Sequence, residues 1–184
     1  TLALLPANNP FYRFQIGQDA AENLGDEDTT AVDEGLRKLE QRVARGIENS
    51  NLRPILNIGF KLLISTGNAL LHVPDKGNSR VFNVSQYVCV RDPMGTVMEG
   101  IIKECVHPLT LDEDVREACE VKLDEQKKGD DKIDVFTRIE RKDNDIIEYW
   151  QEINDKEVPD SRGRNKADES PYIFLRWNAL DNED

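Results

Sequence analysis

The stretch from Gly67 to Ile102 constrains the fold more than any other part of this 184-residue chain. Its residues 81–91 alternate between two chemical faces with a period of two, which is typical of a β-strand. The following Asp92-Pro93-Met94-Gly95 predicts a turn, because proline fixes φ at about −65° and glycine tolerates positive φ. Residues 96–102 then return as a second strand. The sequence therefore predicts a long β-hairpin, which other parts of the chain must cover because a lone hairpin is marginally stable in water.

Two helices are predicted before this hairpin. We expect the first to begin at Thr29 or Thr30 as its N-cap and to end near residues 49–51. Its apolar residues recur at helical spacing and form one stripe: Val32, Leu36, Leu39, Val43 and Ile47.

The second predicted helix starts around Asn51, with Pro54 tolerated in its first turn. Its apolar residues point in nearly every direction, so we expect it to be buried on most sides, between the first helix and the sheet. Gly59 would allow a close approach of neighbouring backbone, and Gly67 is a plausible C-terminal cap. Residues 68–73 are then predicted to form a strand.

The remainder of the chain predicts a short helix and a second hairpin. Residues 103–108 are expected to break the sheet, and Thr110 with Glu113 three residues later forms a capping box for a short amphipathic helix. Alternating residues predict a hairpin of 133–139 and 146–153 around a turn at 142–145. The other predicted elements are a strand at 11–16, a helical turn at 19–24, polar loops at 124–131 and 157–170, and a last strand at 171–177.

These elements predict an α+β fold with two N-terminal helices packed on antiparallel β-hairpins and one short helix between the hairpins. The helical part covers roughly residues 19–66 and the β-rich part roughly residues 68–178. Because the chain starts at Thr1 without methionine, we expect it to be a segment of a longer protein.

The net charge of −12 argues against binding of nucleic acid through a basic patch, which needs clustered lysine and arginine. Three cysteines without a pairing pattern favour reduced thiols, as in the cytoplasm. The N-terminus lacks the basic region of a signal peptide, and the apolar runs are too short for a transmembrane helix.

No known catalytic, phosphate-binding or metal-binding motif is present, so the sequence predicts no catalytic, cofactor-binding or metal-ligating residue and no enzyme activity. His72 is interpreted as a satisfied structural histidine, and Glu99 and Glu104 as solvent-facing. Seven acids without a base between Asp19 and Glu34 are interpreted as a solvated surface.

Two other functions remain open at this stage. One is a stand-alone adaptor or inhibitor domain that binds a host protein through its sheet edge. The other is a metal-dependent nuclease that uses acidic clusters around Asp26 and Asp112.

The order of segments resembles the portal protein, or head-to-tail connector, of short-tailed phages of the autographivirus type. Similar segments run through nearly the whole chain in the family's order: Leu2–Pro6 with Phe11–Phe14, Val32–Leu36, Glu48–Asn51, Gly67–Leu71, Tyr87–Asp92 with Gly95–Val97, Ile133–Thr137, and Pro171–Arg176 with Leu180–Asp181. Asn182 departs from the glycine expected after the Leu-Asp pair.

This resemblance implies that residues 1–184 are the outer wing of a portal subunit, without the stem, clip and crown that follow in the family. It implies a dodecameric ring at the capsid vertex of the virion, assembled in the host cytoplasm, through which double-stranded DNA is packaged and ejected without specific binding. Its implied partners are capsid, scaffolding, terminase and tail proteins. Phe11, Tyr12 and Trp177 are interpreted either as interface anchors or as core residues.

Overall fold

Two helices precede the strands in this computed structural model, which describes residues 12–17, 26–49, 51–122 and 132–177. Helix α1 spans Asp26–Asn49 and α2 spans Leu52–Thr66. The predicted cap at Thr29 or Thr30 is wrong, because α1 begins at the first of three consecutive acidic residues, a residue type that favours helix N-termini. The predicted end near residues 49–51 is confirmed.

Among the described residues, nine strands and one short α-helix follow, and all the strand pairs are antiparallel. The strands are β1 Asn68–His72, β2 Arg80–Phe82, β3 Tyr87–Arg91, β4 Val97–Val106, β5 Ile133–Lys142, β6 Ile146–Ile153, β7 Lys156–Glu157, β8 Gly163–Lys166 and β9 Tyr172–Arg176. Helix α3, Glu113–Ala118, lies between β4 and β5. The predicted fold class, with a short helix between two hairpins, is confirmed.

The strands form two sheets of different size. The smaller sheet has the order β2-β1-β9, and the larger sheet has the order β3-β4-β5-β6, with β7 and β8 both paired to β6. We call the side of the larger sheet that packs on the smaller sheet its inner face, and the opposite side its outer face. The predicted strand at residues 68–73 and the predicted last strand are neighbours, because β1 pairs along its length with β9.

Helix α2 packs on β1 and β2 and also contacts α1. At Gly59 a Cβ atom would lie 3.5 Å from Leu71 Cδ2, an ordinary contact, so the helix comes close to the sheet there. Within the helix only Gly59 and Leu63 are buried, and Ile64 is 71% exposed. The helix contacts both the first helix and the sheet, as predicted. The prediction that it is buried on most sides is wrong, because Ile58 and Ile64 stay exposed on a helix that is apolar all round.

Gly67 ends helix α2 as predicted. Its φ of +74° lies in the left-handed region, and its N–H donates to the Leu63 carbonyl oxygen at 2.9 Å. A side chain in this conformation meets the following carbonyl oxygen, which costs roughly 1–2 kcal/mol.

Gly67→Ala is therefore expected to lower the free energy of unfolding by about 1–2 kcal/mol in urea denaturation. Gly46 in α1 has a negative φ, and a Cβ atom at this position would meet no other atom within 4 Å, so Gly46→Ala is the matched control. It should raise stability by roughly 0.5–1 kcal/mol, because alanine has the better helix propensity. Equal effects of the two substitutions would contradict the role of Gly67 as a cap.

The prediction of one continuous strand from Val81 to Arg91 is wrong. Asn83 starts a turn in which its Oδ1 accepts from the Ser85 N–H at 2.8 Å and its carbonyl oxygen accepts from the Gln86 N–H at 3.0 Å. The turn places Phe82 in the smaller sheet and Tyr87 in the larger sheet. Asparagine favours such local side-chain bonds over a strand ladder, and this preference overrides the alternation.

Three further boundary predictions are wrong. Residues 103–106 continue β4 and do not break the sheet. Thr110 lies in a 3₁₀ turn, where its hydroxyl donates to the His107 carbonyl oxygen, and Asp112 is the N-cap residue of α3. The polar segment 157–170 contains β8 and the end of β7.

The second hairpin is confirmed, with β5 and β6 joined by the turn at Asp143–Asp145. Residues 12–16 form no strand, which corrects the prediction there; Phe11 lies outside the described residues. The predictions for residues 1–10, 19–24 and 124–131 also fall outside them.

The described residues form two buried hydrophobic clusters. The first joins both sheets and consists of Leu70, Phe82, Tyr87, Ile102, Ile139 and Ile147. The second lies under α3 at the other end of the larger sheet and consists of Cys119, Val135, Ile153 and Val158.

Candidate functional surfaces

The described residues contain no group of three histidine, cysteine or acidic side chains arranged to hold a metal ion. Asp112 is exposed at the start of α3, and the side chain of Asp26 lies outside the described set. The described residues therefore offer no metal site that would support the nuclease hypothesis. Among the described helices, none is both long and apolar enough to cross a membrane.

His72 lies at the end of β1, where its ring stacks on Tyr172 with 4.6 Å between ring centroids. Its Nδ1 is buried and has no hydrogen-bond partner among the described residues, so the predicted satisfied histidine is only partly correct. Burial lowers the pKa of His72, nearby Arg80 lowers it further, and Glu104 opposes the shift. The fold thus favours the neutral imidazole.

This preference predicts a loss of stability on mild acidification. A lowered folded-state pKa means that the unfolded chain binds the proton more readily, so the His72 contribution is present above the unfolded pKa of about 6.5 and is lost as pH falls through the folded pKa. We expect the free energy of unfolding to fall between pH 7.5 and 5.5 with a slope of at most about 1.4 kcal/mol per pH unit.

Urea unfolding of the wild type and of His72→Phe at several pH values measures this slope. Phenylalanine keeps the ring stacked on Tyr172 but cannot titrate, so the slope should shrink in the variant. The acids with a lowered pKa, such as Asp134 and Glu157, titrate below this window. An unchanged slope in His72→Phe would contradict the assignment.

Cys105 lies at the surface beside two charged groups. Its thiol donates to Asp134 Oδ1 at 3.1 Å, and Lys103 Nζ pairs with Asp134 Oδ2 at 2.7 Å. The bond to Asp134, together with burial, raises the pKa of the thiol. A raised pKa favours the protonated thiol, which is a poorer nucleophile than the thiolate. All three cysteines are free, as predicted.

A polar network fixes Trp150 on the outer face of the larger sheet. Arg138 and Trp150 both donate to Glu152 at 2.7 Å, and the Arg162 guanidinium lies 4.7 Å from the Trp150 ring centroid. Burial disfavours ionisation of Glu152, but the bonds from Trp150 and Arg138 outweigh it and hold the pKa of Glu152 below its ordinary value. Partly exposed pairs of this kind stabilise weakly, but together they hold the side chains in one arrangement.

The two glutamates predicted to face solvent differ. Glu99 is exposed, whereas Glu104 is partly buried and accepts two bonds from the Arg80 guanidinium at 2.6 and 2.9 Å. The prediction is correct for Glu99 and wrong for Glu104.

Large apolar side chains are exposed at several places. At the tip of the first hairpin Met94 is 90% exposed, and on the outer face of β3 Val88 is 66% exposed. Trp177 is 63% exposed, which leaves it available as an interface anchor. Tyr12 is half-buried and its hydroxyl donates to the Glu40 carbonyl oxygen, whereas Phe11 lies outside the described residues.

A groove of about 470 Å³ opens between β9 and the inner face of the larger sheet. Its residues come from β3, β4, β5, β6 and β9, from the first hairpin turn and from the segment 167–170 before β9. They include Arg91, Met98, Ile139, Arg141, Ile147, Asp168 and Phe174. Sequence reasoning missed this groove, because only the packing of the two sheets brings these separate segments together.

The family model that describes bacteriophage head to tail connecting protein matches residues 1–184. The chain belongs to this family. The connector chain is 35% identical over 191 residues to the portal protein of Escherichia phage T7 and 34% identical over 190 residues to that of Enterobacteria phage T3. It is 28% identical over 184 residues to the portal protein of Enterobacteria phage SP6. The resemblance predicted from the segment order is confirmed.

These matches cover 99% of the connector chain but only 35% of the T7 and T3 proteins. For the SP6 protein the corresponding shares are 98% and 36%. The chain therefore spans about a third of the length of the curated relatives it matches.

Proposed function

We propose that this connector chain is part of a portal subunit, at the capsid vertex through which phage DNA is packaged and ejected and to which the tail attaches. The observation that carries the proposal is the family match over all 184 residues, together with the name that the relatives share, portal protein. The role is structural and non-enzymatic.

Within that subunit, residues 1–184 correspond to the outer wing. Two sheets joined by one apolar cluster give a rigid body, which a ring needs to keep its neighbours in register. The exposed Val88, Met94 and Trp177 provide apolar contacts on separate surfaces of this body. Its neighbours would be further copies in a dodecameric ring, together with capsid and scaffolding proteins.

The charge of the chain agrees with DNA that passes without being bound. A net charge of −12 repels phosphate, so double-stranded DNA that passes near this segment would not be retained by it. Terminase and tail proteins would dock on parts of the subunit outside this segment. The assembled protein would be a virion component that forms in the host cytoplasm.

Electron microscopy of the longer phage protein that contains this segment tests the proposal. We expect closed rings with a central channel and twelve subunits. A protein that remains monomeric over a wide range of concentrations, and leaves phage assembly intact when its gene is deleted, would overturn the proposal. The same deletion separates the portal from a stand-alone adaptor, which the family match does not favour.

A further inference from the structure

Helix α1 carries an apolar stripe that the described residues leave exposed along much of its length. Val32, Leu39 and Val43 of this stripe are each more than a third exposed. A 24-residue amphipathic helix in a folded protein normally buries such a stripe against a neighbour. We call these three residues the α1 stripe.

The first hairpin carries a second exposed apolar surface. Tyr87 and Ile102 point into the cluster between the two sheets, so the alternating residues Val88 and Val90 point to the outer face. Both valines are more than half exposed, and Met94 at the tip of the hairpin is exposed almost completely. We call Val88, Val90 and Met94 the hairpin patch.

The two surfaces lie on opposite sides of the body. Helix α2, which contacts α1, covers the face of the smaller sheet that carries Leu71 and Val81. The other face of this sheet carries Leu70 and Phe82, which pack against the larger sheet. The layers therefore follow the order helices, smaller sheet, larger sheet, with the outer face beyond them. One copy cannot bring its own two surfaces together.

Charges of opposite sign border the two surfaces. Arg42 follows Leu39 by three residues and therefore borders the α1 stripe, and it has no ion-pair or hydrogen-bond partner among the described residues. Glu99, on the outer face of β4 beside the hairpin patch, has no described partner either and lies directly opposite Glu140. Like charges opposite each other across strands are destabilising, so Glu99 would gain from a cation supplied by another molecule.

We infer that the α1 stripe of one copy binds the hairpin patch of the next copy, with Arg42 facing Glu99. The inference rests on the proposed portal function, which requires a head-to-tail contact between two different surfaces, since such contacts close into rings. The lengths match: the α1 stripe runs about 16 Å at 1.5 Å per residue, and the hairpin patch runs about 15–20 Å along β3 and its turn. Both halves of the contact are present on this chain, which selects a second copy over an unrelated partner.

Charge reversal in the longer phage protein that contains this segment tests the pairing. Arg42→Glu and Glu99→Arg should each raise the protein concentration at half-maximal ring assembly by about threefold to tenfold, because a partly exposed ion pair becomes a repulsion. Sedimentation velocity measures the assembled fraction. Lys76→Glu, which reverses an exposed cation in the loop between β1 and β2, is the control and should leave assembly unchanged.

Rescue experiments distinguish a direct contact from a general charge effect. Both reversals in one chain should restore assembly. An equal mixture of the two single variants should also assemble, because each copy then meets an opposite charge on its neighbour. A contact between two α1 helices or between two hairpins would not be rescued in the double variant, since like charges would still face each other.

Substitutions on the apolar surfaces test their burial between copies. Leu39→Asp and Val88→Asp should each weaken assembly by at least about tenfold, because the contact would bury a carboxylate. Leu109→Asp is the matched control, since Leu109 is exposed in the 3₁₀ turn after β4 and belongs to neither surface. Circular dichroism checks that each variant is folded.

Three results would overturn the inference: unchanged assembly in Leu39→Asp and Val88→Asp, single charge reversals without effect, or reversals that neither the double variant nor the mixture rescues. Any of these with rings intact in the wild type would leave the proposed portal function standing. A wild-type protein that forms no rings would overturn that function as well, so the two failures are distinguishable.

Discussion

Replacing Ile102 with alanine is expected to lower the free energy of unfolding by about 2–5 kcal/mol. Ile102 is 1% exposed and lies in the cluster that joins the two sheets. Truncation removes buried apolar area and leaves a cavity that the surrounding strands cannot close, because the β4 backbone is paired on both sides. Urea denaturation monitored by tryptophan fluorescence measures the change.

Ile64→Ala is the matched control, since the same side chain is 71% exposed at the end of α2. Its effect should stay within about 0.5 kcal/mol. A loss below about 1 kcal/mol in Ile102→Ala would show that the two sheets do not share a packed core.

The second large effect is expected at Gly100. A Cβ atom at this position would lie 2.5 Å from Phe174 Cζ and 3.1 Å from Phe174 Cε1. The ring is held edge-on against Tyr87 with 5.8 Å between centroids, so it has little room to move away. Gly100→Ala should therefore destabilise the chain by about 1–3 kcal/mol through overpacking.

A double substitution tests the cause. Phe174→Leu removes the ring that the new methyl group meets, so the loss in Gly100→Ala with Phe174→Leu should be smaller than the sum of the two single losses. Gly35→Ala, in α1 with no neighbouring atom within 4 Å, controls for the intrinsic effect of alanine. Strict additivity would mean that the contact between Gly100 and Phe174 does not limit the substitution.

Local patterns predicted much of the secondary structure. The five apolar residues at helical spacing marked α1, the alternation around residues 142–145 marked the second hairpin, and Gly67 marked the end of α2. In each case one physical rule dominates: a helical stripe, a strand period of two, or the freedom of glycine at positive φ.

The predictions are wrong where tertiary contacts or competing local hydrogen bonds determine the structure. Val84 continues the alternating pattern of a strand, but the turn begun by Asn83 separates β2 from β3. Strand β8 has the sequence Gly-Arg-Asn-Lys, which carries no apolar alternation, and it exists because β6 offers an unpaired edge. The groove beside β9 is lined by residues of five strands from both sheets, so no local sequence pattern predicts it.

The pairing of β1 with β9 has a consequence for synthesis on the ribosome. Asn68 lies opposite Arg176, more than a hundred positions later in the chain. The smaller sheet therefore cannot form completely until these later residues have been synthesised. Until then the nascent chain carries β1 with one unpaired side, and this long-range closure makes the step slow and open to misassembly. Folding of this layer is therefore completed only after translation has passed the end of β9.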